Sequence, residues 1–265
     1  MLRTDWTRDA VSVFAACRTP VNNGHAHIDP CGFDLTAFGT ALVVDPGRFT
    51  YSDGPARRRY RSATWHNCLT MLDREPFAML SSWSYGPQRE GRVLGVGEVP
   101  GLMWTVMRHE NYHPAIHWRC IALVDERVIM VIDRIDDGAE AAPVRLHFHV
   151  ASERVEWRAS ERFAITSDPG ANIAIAASIG TGEILPGGYS PLYDIERPGR
   201  RLRLSDESRS PDARVYATAL IPFAGAPPAV GRVDVQRQGD AIVAAVEIAG
   251  ASVRVRWNGM HVSRA

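Results

Sequence analysis

The chain has 265 residues, 45% of them apolar and 23% charged, and its 30 basic residues balance 30 acidic ones. That composition supports a packed core and excludes a disordered chain. The absence of net charge excludes a protein steered by its overall field to nucleic acid or an anionic membrane, and no stretch reaches the ~20 apolar residues of a membrane-spanning helix.

All the basic side chains are Arg; the sequence contains no Lys. Codon usage in a GC-rich genome accounts for most of this. Locally, the planar guanidinium fork also suits carboxylate and sulfate groups.

The N-terminus, MLRTDWTRDAVSVFAACRTP, carries Asp5 and Asp9 and no long apolar run. It does not read as a signal peptide. Nothing in the chain as given directs export, which leaves a cytoplasmic location open.

Residues 22–47, NNGHAHIDPCGFDLTAFGTALVVDPG, place His25, His27 and Asp29 at every second position. Read as a strand, the stretch sends all three side chains to one face. Gly39 supplies a turn after FDLTAFG, and ALVVDPG reads as a second strand ending at Pro46-Gly47, with Asp45 at its end. The segment RSATWHNCLTM then adds Arg61, His66 and Asn67. Two histidines and a carboxylate from neighbouring segments match the zinc preference for imidazole and carboxylate ligands. Geometry alone nominates Asp29 as the carboxylate, because it shares a face with both histidines. Arg57, Arg58, Arg59 and Arg61 follow a Gly-Pro turn and read as an exposed basic loop, placed to meet an acidic sugar if it borders a cleft. Trp65 is either a stacking surface for a sugar ring or a core residue.

The rest of the chain has a period of two. The runs 102–110, 117–124, 127–135, 144–150, 171–178, 214–221 and 241–257 are β-branched or aromatic, and DDG, DPG, PGG and Gly250 punctuate them. The last run reads as a hairpin bent at Gly250. His147 and His149 make a second H-x-H, read as the polar face of a strand because no carboxylate accompanies it. Cys17, Cys31, Cys68 and Cys120 are widely spaced with no C-x-x-C, which excludes a zinc ribbon or a redox motif of that kind. They read as buried small hydrophobes, with one bridged pair open to an exported protein. The expected fold is all-β, a large antiparallel β-sandwich of many short strands, forming a single domain over 1–265.

The series GHAHID…FDLTAFGTALVVDPGRFTY…RRYRSATWHNCLTM, with HENYHPAIHWRCIALVDERVIMVIDRIDD and GGYSPLYDIERPGRRLRL further on, resembles the C-terminal β-sandwich of the heparinase II/III-like polysaccharide lyases. The resemblance covers nearly the whole chain. It departs at Ile28, at the Pro-Cys-Gly after Asp29, and at Cys68, and none of these removes a candidate ligand. It implies β-elimination on a uronic-acid-containing, acidic polysaccharide. It also implies a structural zinc held by His27, Asp45 and His66, with His25 as the catalytic side chain at the substrate cleft. Tyr51, Arg61, Trp65 and Asn67 become substrate-binding candidates, and Asp29 falls to a turn role before Pro30. The family completes its catalytic set from an N-terminal helical toroid, often in the periplasm. This chain starts almost where the sandwich begins, so it is expected to need a separate helical domain or chain for turnover. The alternative is a non-catalytic acidic-glycan-binding or accessory module with a structural zinc. A metal-dependent hydrolase of the amidohydrolase type, which also uses H-x-H, needs alternating strands and helices that the sequence lacks.

Overall fold

A computed structural model describes residues 1–18, 25–71, 74–136, 142–208 and 214–265. The described residues form three antiparallel sheets, with helix confined to Pro55–Arg61 and one turn of 3-10 helix at Ala63–Trp65. The first sheet runs in the order Leu2–Arg3, Ser12–Ala16, Gly32–Ala37, Thr40–Val43, Val144–Val150, Ile195–Asp206, Thr181–Leu192, and Leu69–Met71 also pairs with Val144–Val150. The second runs Val155–Arg158, Phe163–Thr166, Ala171–Ala177, Arg214–Ala224, Val128–Asp136, Ala115–Val124, Leu102–Tyr112, Gly91–Val99. The third is a meander of Val230–Gln238, Ala241–Ile248, Ala251–Asn258 and His261–Arg264.

The second sheet lies between the other two, and the alternation of its side chains explains why. Ile121, Leu123, Ile129 and Val131 pack with Val13, Leu35, Phe148 and Leu202 of the first sheet. Their neighbours Cys120, Ala122, Met130 and Ile132 pack with Val233, Ile242, Val255 and Trp257 of the third. A strand covered on both faces is apolar on both, which is how 120–124 and 128–132 read; the polar His117, Arg119 and Asp133 pair with one another towards the other end of these strands. The third sheet alternates instead: Val253, Val255 and Trp257 are buried while Ser252, Arg254 and Arg256 are exposed.

Strands expected from the period of two are found within a few residues of their expected ends, and the closing hairpin turns at Ala249-Gly250, both at positive φ. The Phe38-Gly39 turn also has positive φ at both residues, the backbone that a two-residue hairpin with right-handed strand twist requires. The turn expected at DDG (136–138) runs into residues outside the described set. The strand expected across GHAHID is corrected by the structure. Residues 25–31 are irregular, and the strand starts at Gly32. Pro30 has no N–H to give a ladder, Cys31 sits at φ 58, and the Ile28 N–H is spent on the Arg61 carbonyl at 2.9 Å.

Candidate functional site

Three of the sequence candidates meet at one end of the first sheet. His27 Nδ1 faces His66 Nε2 at 3.0 Å, and the same His66 nitrogen is 3.5 Å from Asp45 Oδ2. One ligand atom from each of the three lies within 4.8 Å of the others. Asp29 stands outside this group; its carbonyl accepts from Gly32 N at 2.9 Å and closes the turn into the strand.

A small satellite core produces the alternation that a strand does not. Ala26 and Ile28 are buried with Ala63, Phe77 and Tyr85, which turns His25, His27 and Asp29 the other way. The segment hangs on Arg61, whose Nε donates to Ala26 O at 3.0 Å while its carbonyl holds Ile28 N. Tyr85 Oη donates to Ala26 O as well. Asp45 is set by a turn in which Gly47 N donates to its Oδ1 at 2.8 Å. Ser190 N donates to the neighbouring Pro46 O at 2.7 Å. His66 follows the 3-10 turn, and its Nδ1 is 2.9 Å from Ser62 O. A carbonyl can only accept, so this nitrogen carries the proton and Nε2 presents its lone pair to His27 and Asp45.

The pocket keeps its inner histidine neutral and gathers three carboxylates beside it. Burial, with His66 second, pulls the His27 pKa down to about 3 and keeps the ring neutral, as a ligand must be. The polar lining of the cleft, about 380 Å³, is His25, His27, His66, Asn67, Arg18 and three carboxylates, Asp29, Asp34 and Asp45. Burial raises the Asp29 pKa, and burial followed by Asp45 raises that of Asp34 to about 6. Tetrahedral zinc with bonds near 2.0–2.1 Å to nitrogen places its donors roughly 3.3 Å apart. The facing nitrogens at 3.0 Å, one tautomer fixed by a carbonyl and a neighbouring carboxylate, fit that group.

At the mouth of the cleft His25 is exposed, and its Nδ1 is 3.0 Å from Tyr51 Oη. Tyr51 stacks on Trp83 and lies against Tyr193, both with ring centroids at 5.9 Å. The exposed Arg48 guanidinium sits 4.8 Å from the Tyr51 ring and 5.7 Å from that of Tyr193. Sequence reasoning missed Arg48, Trp83 and Tyr193. Arg48 follows the Asp-Pro-Gly turn directly, which is a usable signal. Trp83 and Tyr193 come from remote segments and leave none.

Other candidates occupy different roles from those expected. The basic run is a helix, with Arg57 and Arg61 buried one turn apart. Arg57 donates to Ser82 O at 2.9 Å and Thr50 O at 3.0 Å, so these two cations tie loops together and do not meet solvent. Asn67 is also buried, donating to Phe33 O at 2.6 Å and Val44 O at 3.0 Å and accepting from His149 N at 2.6 Å. Arg61 therefore positions the site from outside the cleft, whereas Asn67 forms part of the cleft wall with its amide held by backbone groups. Trp65 is half-buried, with Arg59 and Arg201 each 4.9 Å from its ring. His147 and His149 belong to no group of possible metal ligands among the described residues.

The model of the heparinase II/III-like C-terminal family matches residues 3–238. The chain belongs to that family. Among solved structures, a heparinase III gene product with methylated lysines superposes with a TM-score of 0.83 at 16% identity, covering 97% of this chain and 40% of that one. The heparan sulfate lyase HepC of Pedobacter heparinus gives 0.80 at 18% identity, covering 98% and 41%. A further heparinase III gives 0.81 at 16% identity, covering 97% and 41%. The family fold thus includes the final meander beyond residue 238, and this chain spans about two fifths of the length of these solved relatives. No curated protein sequence matches it.

Proposed function

We propose that this chain is the zinc-containing β-sandwich domain of a lyase that cleaves uronic-acid-containing polysaccharide by β-elimination. The observation that carries the reading is the convergence of His27, Asp45 and His66 in a cleft whose mouth holds the His25–Tyr51 pair. Family membership and the heparan sulfate lyase named among the structural relatives support it.

β-Elimination removes the proton α to the uronate carboxylate, holds the charge that develops there, and protonates the departing glycosidic oxygen. A bound zinc would supply charge and rigidity, tying the His27 segment to the Asp45 turn and to His66. The chain's own groups contribute binding and part of the proton transfer. Arg48, stacked on Tyr51 and Tyr193, offers a cation to a carboxylate or sulfate, and Trp83 widens the aromatic surface on which a sugar ring can lie. His25 and Tyr51, at 3.0 Å, can pass a proton between imidazole and phenol at the cleft mouth. Arg61 holds the carbonyl between His25 and His27 and so orients both.

The remaining catalytic groups come, in this reading, from a helical toroid domain or chain. Supplying such a domain with a panel of uronate polymers should generate the conjugated, UV-absorbing unsaturated product, and His25→Ala should reduce it at least tenfold. Glycan binding without product across the panel, with zinc retained, would replace the catalytic reading with that of a binding or accessory module.

A further inference from the structure

We infer that Cys17 and Cys31 form an oxidisable cross-strand dithiol that closes a disulfide around the site-bearing segment. The register of Ser12–Ala16 against Gly32–Ala37 pairs Ser12 with Thr36 and Ala16 with Gly32. Cys17 and Cys31 directly follow the last pair of this ladder, one on each chain segment leaving it. The sulfurs are already 3.4 Å apart, with the Cys31 thiol donating to Cys17 Sγ and the Cys17 thiol to Arg108 O at 3.3 Å. Closing the bond brings these sulfurs from 3.4 Å to the ~2.05 Å of a disulfide.

The two thiols differ in a way that assigns their order of reaction. Cys17 retains 8% exposure, whereas Cys31, Cys68 and Cys120 have none. The hydrogen bond from Cys31 holds the Cys17 pKa below its ordinary value, and burial pushes that of Cys31 well up. A small two-electron oxidant of the peroxide class meets Cys17 first. Its thiolate attacks one oxygen of hydrogen peroxide, the O–O bond breaks, hydroxide leaves, and Cys17 becomes a sulfenic acid. Cys31 sulfur then attacks Cys17 sulfur, the S–O bond breaks, and the hydroxyl departs as water with the Cys31 proton. Two thiols lose two electrons and one peroxide becomes two waters.

A buried metal is the competing use of this region, because Cys31 Sγ lies within 4.8 Å of ring nitrogens of His109 and His117. Those imidazoles are already engaged. Asn111 N donates to His109 Nδ1 at 3.3 Å, so His109 Nε2 carries the proton it gives to His117 Nδ1 at 3.1 Å, and His117 Nε2 donates to Asp133 Oδ1 at 2.7 Å. The relay uses every ring nitrogen of both histidines, which leaves the thiol pair to react with itself.

The test treats the full native chain with equimolar hydrogen peroxide, alkylates the remaining thiols, unfolds and digests it, and maps the peptides by mass without reduction. The expected result is that two of the four cysteines escape alkylation, the chain loses two hydrogens, and one peptide joins Cys17 to Cys31. Dithiothreitol should restore all four thiols. Four alkylated cysteines, a linkage to Cys68 or Cys120, or Cys17 carried on to sulfinic acid without a cross-link would overturn the inference. None of these outcomes bears on zinc or turnover.

Discussion

Truncating Arg119 would leave the Asp133 carboxylate and two carbonyl oxygens buried with no cation. Its Nε and Nη2 grip the two Asp133 oxygens at 2.8 and 3.2 Å, and Nη1 reaches Asn67 O at 2.7 Å and Cys31 O at 2.9 Å. Burial works to raise the Asp133 pKa, but Arg119 and His117 prevail and hold it below the ordinary carboxylate value. Arg119→Met should therefore cost about 3–5 kcal/mol in urea denaturation, the range for a buried pair that loses one partner. A cost below about 1 kcal/mol would mean that the pair is not desolvated as the structure places it. Arg119 also shows why individual roles were hard to read from sequence. A lone Arg in an apolar strand carries no sign of the carbonyls it will meet across the sandwich. Arg61 is a similar case, chosen as a ligand contact yet spent on backbone carbonyls, while Asn67 lines the cleft with its amide tied to three backbone groups. His25 and His27 were legible because their spacing is local, although a satellite core, and not a strand, produces the alternation.

At the scale of elements, the period of two exposed those strands whose residues are β-branched or aromatic. Gly91–Val99 and the long pair Thr181–Leu192 and Ile195–Asp206 escaped it. Gly95, Gly97, Gly187, Gly188, Gly199, Pro186 and Pro198 read as turn chemistry when neighbouring strands are invisible. The helix escaped as well, since its two buried arginines need carbonyl partners from distant loops. The Asp45 turn is the element most open to a single-residue test. Gly47 has φ 74, and a Cβ there would stand 2.3 Å from Ser190 O. Gly47→Ala combines a left-handed backbone with a backbone clash, each disfavoured by about 1 kcal/mol or more. It should destabilise the chain by about 2–3 kcal/mol in thermal unfolding and weaken metal retention by displacing Asp45. Unchanged stability would place the Asp45 turn elsewhere.

Across the whole molecule, two histidines buried on the outer face of the first sheet, beneath Trp65, Thr70 and Gly188, are a brake on acid stability. Burial holds His147 at about 3 and His149 at about 4, against 6.5 for an ordinary histidine. Between those values the unfolded chain takes up protons that the folded chain refuses. Their contribution is complete above about pH 6.5 and is lost as the pH falls towards 4, each group adding a slope of up to about 1.4 kcal/mol per pH unit. Urea midpoints measured from pH 7 to pH 4 with a chelator present should fall steadily, and His147→Gln should flatten the slope. A midpoint independent of pH over that window would contradict the burial of these rings.

In the proposed function the roles within GHAHI are separate: His27 would hold metal and His25, two residues away, would serve the cleft. Elemental analysis of the purified full chain, without added metal, tests this directly. The wild type and His25→Ala should each carry close to one zinc per chain, whereas His27→Ala and His66→Ala should carry almost none. A wild-type chain without zinc that fails to take it up on reconstitution, or equal loss from His25→Ala and His27→Ala, would contradict it.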